Sequence, residues 1–214
     1  MTTIKIGTSL PMAMEALEAP ETPPVAEAAR QIEELGLESL WPSDLVLGDG
    51  TPTLEAALTL ATAAAVTTRV RIGFSVLAVP LRPAPWLALQ TATLQHLSND
   101  RLLLGVGSGG FPGAPFWQAL GVSGRERGRT TDATLRLLPR LLSGEPVRIS
   151  EEAPPLTMAP SATMPPVLVA PYWADPRWVD PRWVDPRWAD PRWADPRWAD
   201  RRGTPGGGLS DARA

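Results

Sequence analysis

Apolar and polar positions along the first 170 residues switch repeatedly between strand-like and helix-like spacing. A β-prone run, Ile4 to Leu10, ends at Pro11, and residues 11–22 read as a loop. Pro23-Pro24 suits the first turn of a helix, where a missing N–H costs nothing. Val25, Ala28, Ala29, Ile32 and Leu35 then recur at helical spacing, and Gly36 fits the left-handed position that closes a helix. Leu37 to Trp41 is the next strand. Pro52 opens a second helix, with its apolar face expected on Leu54, Ala57, Leu58, Ala61 and Ala65. Val70 to Val79 reads as one long strand, Pro83 to Leu97 as a third helix capped by Asn99, and Arg101 to Val106 as a fourth strand. Residues 125–142 predict a fourth helix, kinked at Pro139 because proline removes one ladder bond. Pro166 to Ala170 is a fifth strand.

Five strands alternating with four helices predict an α/β fold with a parallel sheet and helical crossovers. Two architectures satisfy that order: an open doubly wound sheet and a (β/α)8 barrel.

The pattern ends at Trp173. From there WADPR and WVDPR units run in a five-residue period to Asp200. A proline in every unit excludes helix and sheet interiors alike, so a disordered tail is expected over 172–214, following a folded domain over 1–171. This segment holds six of the 9 tryptophans and six of the 25 prolines, so the tryptophan excess says nothing about the core. One reading makes the Trp-Arg tail a ligand for a binding partner. The plainer one is a repeat expansion or a shifted reading frame.

Composition removes several function classes. A net charge of −3 favours neither nucleic acid nor an acidic membrane surface. With no cysteine and one histidine, disulfides, thiolate metal sites, a cysteine nucleophile and a multi-histidine metal centre are all excluded, so no metal site is expected. The N-terminus lacks the pattern of a secretory signal, and no run of about 18 apolar residues occurs. A cytoplasmic protein acting on a small molecule is the expectation.

Gly105-Val-Gly107-Ser-Gly109-Gly110 satisfies G-x-G-x-x-G after a strand. A dinucleotide site also needs a helix opening at the third glycine and an acid ending the next strand. Phe111-Pro112-Gly113-Ala114-Pro115 opens no clean helix, and Glu126 lies at a helix start. The glycines fit better as backbone that a ligand can approach closely. His96, among Leu94 and Leu97, and Arg101 read as structural, the latter as an ion-pair partner. Trp41, Trp86 and Trp117 read as core or pocket wall.

The ordered landmarks are more specific. Trp41-Pro-Ser-Asp44, Ile72-Gly-Phe-Ser-Val76, the Leu81-Arg82 step, Leu97-Ser-Asn-Asp-Arg101, Gly105-Val-Gly-Ser-Gly109 and Arg127-Gly-Arg129 occur in series. Over residues 4–170 the chain resembles the luciferase-like monooxygenase superfamily. That resemblance implies a TIM barrel, here a partial one of about five βα units, with a cofactor at the C-terminal ends of its strands. It implies FMN or the deazaflavin coenzyme F420, and an oxidoreductase or monooxygenase acting on a small organic substrate. Phe74, Ser75 and Val76 would form the bulge that backs the ring, with a cis peptide at Ser75–Val76. Gly107, Ser108 and Gly109 would border the cofactor, and Asp44 would be the acidic catalytic residue near ring and substrate.

The chain also departs from the pattern. Leu45 replaces a frequent histidine, Asp132-Ala133 a frequent Asp-Glu, and strand five runs into Pro171-Tyr172 where a Gly-Gly phosphate cradle is usual. Strands six to eight are not in the sequence, so a half-open barrel is expected to self-associate through its edges. Lost activity is therefore one expectation, with a non-catalytic interaction protein as the alternative.

Overall fold

The computed structural model describes residues 4–11, 22–44, 52–109 and 115–169. The repeat tail, the domain boundary expected at 171 and the Gly-Gly position lie outside them, as does Leu45.

Six strands form one parallel sheet: β1 (Gly7–Ser9), β2 (Ser39–Trp41), β3 (Arg71–Gly73), β4 (Leu77–Ala78), β5 (Leu102–Gly107) and β6 (Val167–Val169). β1 pairs with β2, β2 with β3, and β3 with β5. β4 lies along the same edge of β5, continuing β3, and β6 pairs on the other edge. The strand expected over Val70–Val79 is therefore two short strands separated by Phe74–Val76. Among the described residues strand positions follow chain order, without the reversal that makes a topological switch point in doubly wound sheets. A partial (β/α) barrel is the arrangement formed.

Among the described residues five helices accompany the sheet: α1 (Val25–Glu34), α2 (Ala56–Val66), α3 (Ala84–Ser98), the short α4 (Pro115–Ala119) and α5 (Arg127–Leu142). α1 packs on α2, α2 on α3, and α3 on α5, as crossovers of one hand require. Successive strand residues point to opposite faces. Leu40, Ile72, Leu102, Leu104 and Val106 turn towards the helices and are almost wholly buried with them in one core. Their neighbours Trp41, Gly73, Leu103, Gly105 and Gly107 turn to the inner face of the sheet.

Local rules explain most boundaries. α1 begins after Pro24 and ends at Gly36, whose φ of 74° is the left-handed geometry expected of it. The Leu37 amide then reaches back to the Ile32 carbonyl, and the Gly36 amide to that of Glu33, satisfying end carbonyls that would otherwise be orphaned. Leu35, expected on the apolar face, is 76% exposed because it lies in this closing turn. Asn99, also left-handed, closes α3. α5 continues through Pro139 to Leu142 and buries Thr134, Leu135, Leu138, Leu141 and Leu142. α4 is an element that sequence patterning missed, although Pro115 suits its first position.

The apolar face of α2 is a correction. Ala56, Ala57, Leu60, Ala63 and Ala64 are buried, while Leu58 is 71% exposed and Ala65 is exposed too. Apolar residues surround this helix on all sides, so spacing alone does not select a face. Trp86 is likewise exposed rather than core, whereas Trp117 is buried.

Two charged groups tie the N-terminal ends of the strands to the helices. Glu33 accepts backbone N–H bonds from Thr68, Arg69 and Val70 at 2.6–3.0 Å, just before β3. Burial pushes its pKa up, but the Val70, Arg69 and Thr68 donors prevail and hold it down at about 2. Arg101 donates to the carbonyls of Ala64, Thr67, Val70 and Ser98 and to Thr67 Oγ1, at 2.6–3.1 Å. Its direct partners are carbonyls and a hydroxyl at the ends of α2 and α3 and just before β3, not the carboxylate expected from sequence. No helix among the described residues is long and apolar enough to cross a membrane.

Candidate functional site

In a parallel sheet every strand ends on the same rim, which is where barrel enzymes place their chemistry. Here that rim carries Asp44 after β2, Phe74–Val76 between β3 and β4, and Gly107–Gly109 at the end of β5. The Ser75–Val76 peptide is cis. The Ser75 amide donates to the Pro42 carbonyl at 2.9 Å, which joins the bulge to the end of β2. Phe74 is buried, Val76 is half-buried, and Ser75 is exposed at the rim.

The glycines of β5 are there because the bulge leaves no room. A Cβ at Gly105 would run into the Phe74 carbonyl oxygen, and one at Gly107 would lie 2.8 Å from Val76 Cγ2. The same relation recurs lower on the inner face. Trp41 fills the space that side chains at Gly7 and Gly73 would need, and its indole N–H donates to Ser39 Oγ at 2.9 Å.

The Asp44 side chain is 4% exposed and engaged through both oxygens. Arg82 grips it as a fork, Nη1 to Oδ2 at 2.6 Å and Nη2 to Oδ1 at 2.7 Å. The Ala78 amide adds a third bond to Oδ2 at 2.9 Å. Arg82 Nη2 also reaches Glu55 Oε1 at 3.2 Å, and Glu55 caps α2 by accepting the Leu58 amide at 2.7 Å. Burial alone lowers the pKa of Arg82; the hydrogen bonds and charges of Asp44, then Glu55, reverse this and raise it. Sequence reasoning did not single out Arg82 or Glu55, although the Leu81-Arg82 step was visible as a landmark.

All seven residues singled out for cofactor and catalysis thus fall on one rim. Val76 touches Gly107, Gly109 approaches Ala78 Cβ, and Asp44 is bonded to Ala78, two residues beyond Val76. A cleft of about 380 Å3 lined by Gln95, His96, Asn99, Asp100 and residues 161–163 lies at the opposite, N-terminal end of β5. His96 there meets the Ser161 carbonyl through Nε2 at 3.0 Å, a structural use as expected.

Gly107, Ser108 and Gly109 are only half-buried, and the bulge beside them exposes Ser75, so mostly backbone faces outward. Gly109, with φ of 79°, holds a conformation that side chains resist.

A family model for luciferase-like monooxygenases matches residues 4–175. The chain belongs to this family. Its fold is similar to that of the monooxygenase RslO1 from Streptomyces bottropensis, at TM-score 0.66 and 23% identity, covering 78% of this chain and 53% of the other. It is also similar to the oxygenating constituent of 3,6-diketocamphane monooxygenase from Pseudomonas putida, solved with FMN, at TM-score 0.58 and 18% identity, covering 68% and 44%. At these identities the likeness shows the fold alone. In sequence, 106 residues are 40% identical to an F420-dependent glucose-6-phosphate dehydrogenase of Amycolatopsis mediterranei, covering 48% of this chain and 30% of that protein. Another 122-residue match, 33% identical, is to the 4-hydroxyprotoasukamycin monooxygenase of Streptomyces nodosus, covering 56% and 32%. The chain spans less than half the length of the curated relatives it matches.

Proposed function

We propose that this rim is the ring-side wall of an FMN or F420 site in an oxidoreductase of the luciferase-like family, acting on a small organic substrate. The observation that carries the reading is the packing of the Phe74–Val76 bulge against Gly105 and Gly107, which leaves backbone at the mouth of the sheet. Phe74, Ser75 and Val76 would back the ring from one side. Gly107, Ser108 and Gly109 would border it, and Asp44 would stand near ring and substrate. When bound, the cofactor supplies hydride transfer or oxygenation. The chain's own residues bind it, orient it and shield it from water. FMN-bound and F420-dependent proteins among the relatives support this pair of cofactors. A cytoplasmic location accords with such chemistry.

Titration of the purified chain with FMN and with F420, followed by cofactor fluorescence, tests the reading. Saturable micromolar binding of one of them is the expected result. Absence of binding to both would remove it.

A further inference from the structure

Resting on that reading, we propose that Arg82 is a positioning residue for the site, holding Asp44 as a fixed counter-charge and, through Asp44, fixing the segment that backs the ring. Three elements meet at its guanidinium. Asp44 brings the end of β2, Glu55 brings the N-terminus of α2, and Arg82 itself follows the single 3-10 turn Val79–Leu81 that leaves β4. The Asp44 carboxylate then holds the Ala78 amide, two residues from Val76.

The arrangement is built rather than incidental. The side chains of Asp44 and Arg82 are 4% and 12% exposed, so loss of Arg82 would leave the Asp44 carboxylate a costly unpaired charge. The guanidinium fork matches the carboxylate in two parallel bonds, which fixes orientation as well as distance. With both oxygens so occupied, Asp44 is placed to orient its neighbours. A lysine would retain the charge as a single flexible point and lose the fork.

The test uses the full chain and four proteins: wild type, Arg82→Lys, Asp44→Asn and the double variant, each titrated with FMN and F420 well below its melting temperature. Arg82→Lys is expected to weaken binding by about tenfold to a hundredfold, since small misplacements at a site are amplified in this range. The double variant should lose no more than the worse single one, because the two side chains act through one contact. Unchanged affinity in Arg82→Lys alongside a lower melting temperature would mean a merely structural pair and overturn the proposal. So would losses that multiply in the double variant. If wild type binds neither cofactor, the family-based reading of the site fails separately. Amide exchange at Ala78 then decides: lost protection in Arg82→Lys supports the clamp, and wild-type protection overturns it.

Discussion

Glutamate 33 makes the chain's stability depend on acid in a specific window. Its carboxylate gathers three backbone N–H groups ahead of β3. In Glu33→Gln one oxygen becomes an NH2 group, which faces donors instead of accepting from them. The drop of the carboxyl from its ordinary 4.5 to about 2 would correspond to roughly 3 kcal/mol between protonation states. The group is only partly buried, so water screening leaves on the order of 1–2 kcal/mol. Because the folded value lies below the unfolded one, this contribution is fully present above about pH 4.5 and is lost as pH falls towards about 2. Thermal unfolding followed by circular dichroism at pH 7, 4 and 2.5 measures it. Glu33→Gln should melt several degrees below wild type at pH 7, and the gap should close as pH approaches 2.5. A gap that stays constant across the range, or none at pH 7, would refute the assignment.

Three further outcomes follow from the packing. Leu60→Ala should cost about 2–5 kcal/mol in urea unfolding, whereas Leu58→Ala on the outer face of α2 should stay within about 0.5 kcal/mol; the reverse order would restore the face expected from sequence. Gly73→Ala should destabilise by about 1–3 kcal/mol through collision with the Trp41 ring. Trp41→Ala in the same chain should relieve much of that collision, which thermal melts of the single and double variants would show. Arg101→Met removes five charge-assisted hydrogen bonds and strands buried carbonyls at the end of α2. A loss of about 3 kcal/mol or more is expected, and a change below about 1 kcal/mol by the same urea assay would contradict that role.

Alternation of period made the strands and helices legible because their two spacings are distinct wherever one face is polar. It failed at α2, where apolar residues occur all round and only tertiary packing chooses between Leu58 and Leu60. It merged β3 and β4 because Val70–Val79 is β-prone throughout, and nothing in that composition marks the break at Ser75. The family landmarks supplied that break, along with Asp44 and the β5 glycines. Arg82 escaped notice because an ion pair across 38 residues leaves no local spacing. Glu33 escaped for the same reason, its partners being backbone amides that every residue but proline provides. Local pattern left doubly wound sheet and barrel open because it contains no strand order; the family landmarks pointed to the barrel.

The proposed seat of a flavin or deazaflavin ring is the rim formed by the bulge and the β5 glycines. The most direct measurement maps amide chemical-shift changes in isotopically labelled chain during titration with FMN and then F420. Saturable changes centred on Phe74–Val76 and Gly107–Gly109, with Ala78 following, and none around Gln95, His96 and Ser161, are expected. Changes confined to that opposite end of the strands, or no changes with either cofactor, would contradict that placement.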